Sequence, residues 1–116
     1  MTPTIVTRAG AVVAVAGASG GPFIITGTLQ VLLNALVFGQ DAETAVAAPR
    51  IHDQWMPPSL MLEAGIGAGE RSALRRLGHD DIDAPGAAAV QLVLRSSDGR
   101  LDGAADPRKG GAAVGW

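Results

Sequence analysis

The sequence predicts an α+β fold, an antiparallel sheet with helices packed on it. Three observations point there. Two β-branched, apolar runs open the chain. A segment with helical apolar spacing follows, between Pro22 and Gly39. From Val90 onward the chain returns to short apolar runs separated by turn residues.

Taken in order, residues 4–7 and 11–16 read as strands joined by a turn at Arg8-Ala9-Gly10. The second run, Val12-Val13-Ala14-Val15-Ala16, has no polar alternation, which predicts burial on both faces. Gly17-Ala18-Ser19-Gly20-Gly21 reads as a glycine-rich turn. Pro22 suits the first helical position and Gly39 the stop, with Ile24, Leu29, Leu32, Leu33, Leu36 and Val37 forming the apolar face between them. Asp41 caps a short helix with Glu43 in its first turn, and Pro49 ends it. Residues 50–55 are extended, Met56-Pro57-Pro58 is a loop and residues 60–63 a short strand. Residues 65–69 form a flexible link to a third helix over 70–77, stopped by Gly78. Residues 80–83, 90–95, 101–105 and 112–116 complete the strands, with a hairpin turn at Ser97-Asp98-Gly99.

Composition limits what this fold can be. The 116 residues include 21 Ala and 16 Gly, and aromatics are only 3%. A core of this size normally draws bulk from aromatic rings. Composition therefore leaves open whether residues 1–116 are a whole domain or a segment of a larger one. With no cysteine there is no disulfide framework, thiolate metal site or cysteine nucleophile. The net charge is −2 and basic residues cluster only at Arg71, Arg75 and Arg76, which argues against nucleic acid as a partner. That trio reads as a solvated helix face. The longest apolar stretch, residues 23–38, is too interrupted to span a bilayer, so no membrane partner is implied. Met1-Thr2-Pro3-Thr4 lacks the pattern of a signal peptide.

The glycine turn carries the chemistry. Backbone N–H groups at a glycine turn before a helix can face a developing negative charge. Pro22 removes one donor, leaving those of Gly20 and Gly21. A second reading takes Gly17-x-Ser19-x-Gly21 as a nucleophile elbow, with Ser19 attacking and His52 or His79 as base. The sheet such a hydrolase needs does not fit in 116 residues. A plain strand-to-helix turn is the third reading. No lysine follows the glycines as in a phosphate-binding loop.

Elsewhere, Pro49-Arg50-Ile51-His52-Asp53-Gln54-Trp55 would set Arg50, His52 and Gln54 on one face. The segment reads either as the wall of a site or, in preference, as a hydrogen-bonded structural segment whose Arg50 satisfies backbone carbonyls. Asp106-Pro107-Arg108 reads as a tight turn holding an ion pair. His52-Asp53 and His79-Asp80-Asp81 match no metal-site spacing.

In combination these segments form a pattern. It runs through Thr2-Pro3-Thr4-Ile5-Val6, the glycine turn, Ile24-Ile25-Thr26 and Leu29-Gln30-Val31-Leu32-Leu33-Asn34. It continues with Ala48-Pro49-Arg50-Ile51-His52, Gln54-Trp55, Gly103-Ala104-Ala105-Asp106-Pro107-Arg108 and Gly111-Ala112-Ala113. The chain resembles the C-terminal part of the small subunit of γ-glutamyltranspeptidase, also called glutathione hydrolase. The resemblance implies part of an N-terminal-nucleophile hydrolase fold, an αββα sandwich. It implies transfer or hydrolysis of the γ-glutamyl group of glutathione and related compounds, with no cofactor and no metal. Gly20 and Gly21 match the family's glycine pair, whose N–H groups form the oxyanion hole and bind substrate.

Family members commonly have proline where Ser19 stands, which demotes Ser19 as nucleophile. The nucleophilic threonine, the serine pair holding the glutamyl carboxylate and the acidic residue binding the amino group would all precede Met1. A substrate-binding arginine would lie on the large subunit, which also carries the export signal of a family often periplasmic or secreted. Thr2, followed directly by Pro3, is a poor replacement nucleophile. The expectation is a chain inactive alone, partnered by the remainder of the enzyme or by further copies of itself. The alternatives are a non-catalytic relative that oligomerises or binds a small anion, and the Ser19 hydrolase.

Overall fold

The computed structural model describes residues 3–84 and 86–115. Strands β1 (Thr4–Arg8) and β2 (Ala11–Ser19) pair antiparallel from Thr4↔Ala16 to Arg8↔Ala11. Ala9 and Gly10 make the connection with φ of 49° and 81°. Positive φ at both central residues matches the twist of a tight hairpin. Helix α1 (Phe23–Leu36) and helix α2 (Ala42–Ala47) follow. Next come β3 (Ile51–His52), β4 (Leu60–Leu62), helix α3 (Ala68–Arg76) and β5 (Asp81–Asp83). Strands β6 (Ala89–Arg95) and β7 (Leu101–Ala104) end the order.

The main sheet has the order β1-β2-β6-β7 and is antiparallel throughout. The α+β class with an antiparallel sheet is therefore as predicted. A second, three-stranded sheet is mixed: β3 and β4 are antiparallel, whereas β4 and β5 are parallel. Parallel neighbours need a crossover, and α3 supplies it.

Helices α1 and α2 cover one face of the main sheet. The core there joins Ala16, Ala18, Val31, Ala35, Val46, Ala88, Val90 and Leu92. Many of these are alanines, so helix and sheet approach closely. At Gly27 an added Cβ would lie 3.2 Å from Ala88 Cβ. Asp41 caps α2 as expected, accepting from the Thr44 N–H at 2.7 Å. Asp102 on β7 accepts from the Ala42 N–H at 2.8 Å, tying the helix start to the sheet.

Four expectations are corrected. Strand β2 runs on through Gly17, Ala18 and Ser19, which pair with Gln91, Val90 and Ala89. The turn is only Gly20-Gly21-Pro22, because the ladder with β6 satisfies the backbone of the preceding three residues. Second, β2 is not buried on both faces. Ala14, Ala16 and Ala18 are buried, while Val15 is 39% exposed. Val15 pairs with Ile5 and Val93, 62% and 40% exposed, so an apolar row crosses the uncovered face. Third, residues 112–115 form no strand, and Trp116 lies outside the described residues, as do Met1 and Thr2. Fourth, α3 begins at Ala68, and of its three arginines only Arg76 fits a solvated face, since Arg71 and Arg75 are paired. Arg71 bonds the Glu63 carbonyl at 3.1 Å and Asp83 at 3.0 Å, and Arg75 pairs with Asp81 at 2.9 Å. The crossover sets α3 beside β5, where three acids precede Ala84. The Arg75 hydrogen bond holds the Asp81 carboxyl below its ordinary value. No helix among the described residues is long and apolar enough to cross a membrane.

Candidate active site

The site begins where β2 ends. After Ser19 the chain turns through Gly20, φ 145°, and Gly21, φ 58°, and enters α1 at Pro22. The turn's carbonyls are used: Gly20 O accepts from the Phe23 N–H at 3.3 Å and Gly21 O from the Ile24 N–H at 3.2 Å. Its two N–H groups have no backbone acceptor among the described residues. Both glycines are exposed.

The two glycines are needed for different reasons. A Cβ on Gly20 would sit 2.6 Å from Ala88 Cα, inside the backbone of the neighbouring segment. A Cβ on Gly21 would meet nothing within 4 Å, yet its φ is left-handed, where a side chain is strained. N–H groups with no backbone acceptor among the described residues, just before a fourteen-residue helix, form a donor pair suited to an anion.

Ser19 is not brought to a histidine. Its Oγ accepts from Lys109 Nζ at 3.2 Å. His52 is buried, with Nδ1 2.7 Å from Thr26 Oγ1 and Nε2 2.8 Å from Gln54 Oε1. Its ring lies tilted on Phe23, with centroids 4.3 Å apart. Gln54 Nε2 in turn donates to the Met56 carbonyl. His79 is exposed at the end of α3. The elbow reading thus has no assembled base.

Behind the turn is a buried ionic cluster. Asp106, 1% exposed, accepts from Arg50 Nη2 at 2.7 Å, the Val90 N–H at 2.8 Å, and the Arg108 N–H and Nη1, both at 3.0 Å. Arg50 donates to the carbonyls of Ala88, at 2.6 Å, and Val46. Arg108 donates from Nε to Glu63 Oε1 at 2.7 Å, and Glu63 Oε2 accepts the Arg50 N–H at 2.8 Å. The structural reading of Arg50 and the Asp106–Arg108 pair both match this arrangement.

The electrostatics follow from the geometry. Burial pulls the Asp106 carboxyl upward, but N–H bonds from Val90 and Arg108 and the two guanidinium groups outweigh it and leave it below its ordinary value. Glu63 behaves alike: burial raises it, and Arg108 with the Arg50 N–H lowers it further. Glu63 bonds push Arg108 up, whereas burial lowers Arg50.

Sequence reasoning missed Glu63, Gln30 and Ala88. Gln30 bonds both the N–H and the carbonyl of Ile51, at 2.9 and 2.7 Å, as a strand neighbour would. Its signal is an amide within an apolar helical run. Glu63 signals itself as an acid directly after Leu60-Met61-Leu62. Ala88 carries no signal, because its role lies in its backbone.

Backbone N–H groups just before a helix can stabilise an oxyanion. Residues 1–116 match the family model described as gamma-glutamyltranspeptidase. The chain is 36% identical over 108 residues to the glutathione hydrolase proenzyme of Escherichia coli strain K12, covering 93% of this chain and 19% of that protein. It is 37% identical over 131 aligned residues to glutathione hydrolase 2 of Arabidopsis thaliana, covering 100% of this chain and 23% of that protein. The structure of gamma-glutamyltranspeptidase from Pseudomonas nitroreducens complexed with L-DON matches with a TM-score of 0.87 and 32% identity, over 100% of this chain and 62% of that one. The fold is thus part of that of the N-terminal-nucleophile hydrolases. The chain belongs to the γ-glutamyltranspeptidase family. It spans about a fifth of the length of these two curated relatives.

Proposed function

We propose that these 116 residues supply the oxyanion-hole part of a γ-glutamyl transfer site. A nucleophile attacks the γ-carbonyl carbon of glutathione or a related amide, and the carbonyl π electrons move onto oxygen. The N–H groups of Gly20 and Gly21 donate to that oxygen. Collapse expels the amine, which takes a proton, and leaves a γ-glutamyl ester. Water or an acceptor amine then repeats the cycle through a second oxyanion at the same donors. Removing one such donor typically costs about 10²–10³ in rate.

One observation carries this reading: an exposed glycine pair with positive φ whose N–H groups have no backbone acceptor among the described residues. By the resemblance, the nucleophilic threonine and the groups holding the glutamyl amino and carboxylate ends lie on segments other than these 116 residues. Residues 1–116 then form one segment of a larger domain, and the partner is the segment bearing the threonine. The uncovered row Ile5, Val15 and Val93 supports such a partner, because an apolar sheet face is stabilised by a cover.

The test is release of nitroaniline from γ-glutamyl-p-nitroanilide. The purified 116-residue chain is expected to give no turnover, and mixing with a threonine-bearing segment from the family is expected to restore it. Enzyme-like turnover by the chain alone would overturn the proposal.

A further inference from the structure

Gly20 leans on Ala88, and Ala88 is held in place from the other side. We propose that Arg50 is a positioning residue for the Gly20–Gly21 turn, acting through the main chain of Ala88. This rests on the reading of that turn as the oxyanion hole.

Ala88 is buried but precedes β6, so it lies outside the strand ladder. Its carbonyl accepts instead from Arg50 Nη1 at 2.6 Å. The same guanidinium bonds Asp106 Oδ2, which also accepts the N–H of Val90 two residues on. Arg50 thus fixes the segment at two points, once directly and once through Asp106. Arg50 is itself 3% exposed and bound to the Val46 carbonyl on α2, so it cannot follow if Ala88 drifts.

Both ends of the turn rest on this segment. On the strand side, Ser19 pairs with Ala89, and the Gly20 Cα faces Ala88 so closely that no Cβ fits. On the helix side, a Cβ added at Gly27 would lie 3.2 Å from Ala88 Cβ and 4.0 Å from Arg50 Nη1, so α1 also packs closely on this segment. A shift of Ala88 therefore changes the plane of the Gly20 peptide, and with it the direction of the N–H groups. Donor direction decides whether an oxyanion is stabilised, since hydrogen bonds weaken steeply off axis.

Amide ¹⁵N–¹H spectra of the full 116-residue chain read this directly and need no turnover. Arg50→Lys keeps the charge and removes the fork. Its largest peak shifts are expected at Gly20, Gly21 and Ala88, with Gly99 in the β6–β7 turn unmoved. Ala88→Gly keeps Arg50 and removes the Cβ between Gly20 and Gly27, and is expected to move the same glycine peaks. Arg75→Lys is the control: it removes the guanidinium fork on Asp81, away from Arg50 and Asp106, and should leave Gly20 and Gly21 in place. Unmoved Gly20 and Gly21 peaks in folded Arg50→Lys would overturn the relay, as would equal movement in Arg75→Lys. Should Arg50→Lys fail to fold, the double variant Arg50→Met with Asp106→Asn, which leaves no unpaired charge between them, decides by the same peaks. The oxyanion assignment is tested separately by turnover, so failure of the relay is distinguishable from failure of that assignment.

Discussion

Gly20→Ala is expected to lower folding stability by about 3 kcal/mol, combining overpacking with a strained backbone, each costing about 1–3 kcal/mol. The new Cβ would lie 2.6 Å from Ala88 Cα. That neighbour is main chain, already pinned by Arg50, so it does not swing aside as a flexible side chain would. The φ of 145° is a conformation that alanine rarely adopts. Gly21→Ala isolates the second effect. With open space around its Cβ and φ of 58°, it is expected to cost about 1 kcal/mol. Urea unfolding midpoints of the two variants check the ordering. Equal losses would mean that contact with Ala88 is not what requires glycine at position 20.

Asp106→Asn is expected to cost about 3–5 kcal/mol, the usual range for breaking a buried ion pair. Asp106 accepts from Arg50, from Arg108 and from two backbone N–H groups. Its loss leaves the Arg50 charge buried without a carboxylate, since Arg50 is 3% exposed. The pH dependence has a definite sign. The folded carboxyl lies below its unfolded value of 3.8, so its contribution is complete above that pH and is lost as pH falls through the lower folded value. The parent protein should therefore lose stability on acidification below about pH 4, and Asp106→Asn should lose less over the same range. Thermal unfolding between pH 6 and pH 3 would measure both slopes. A parallel pair of curves would mean that Asp106 is not the group responsible.

Much of this was legible in the sequence wherever local rules act alone. Asp41 caps α2, Gly78 stops α3 with φ 92°, and the Ala9-Gly10 turn sits between its strands as read. The glycine pair is legible too, because strand, glycines and proline before an apolar helix leave few conformations open. What was not legible is long-range. Gly17-Ala18-Ser19 looks like a turn by composition, and only pairing with Gln91, Val90 and Ala89 makes it strand. Burial of Val15 was read from its apolarity, whereas its exposure depends on what lies across the sheet. Arg71 and Arg75 seemed solvated because their partner Asp81 arrives through a parallel crossover. Ala88 could not be singled out, since its contribution is a carbonyl oxygen and a Cα surface.

The apolar residues on the uncovered sheet face sharpen the composition argument. Small residues dominate the helix–sheet contact, where close approach needs them. Bulkier residues such as Ile5 and Val93 remain at the surface, where a second layer would use them. The low aromatic content fits one part of a layered domain better than a full core.

Direct observation of the Gly20 and Gly21 amides is the sharpest test of the proposed oxyanion hole. The ¹⁵N-labelled chain, assembled with an unlabelled threonine-bearing segment, would be titrated with a γ-glutamyl phosphonate, whose tetrahedral anion mimics the intermediate. The expected result is a downfield shift of the Gly20 and Gly21 N–H resonances, larger than at any other glycine. Saturation by the phosphonate with both resonances unmoved would contradict the assignment.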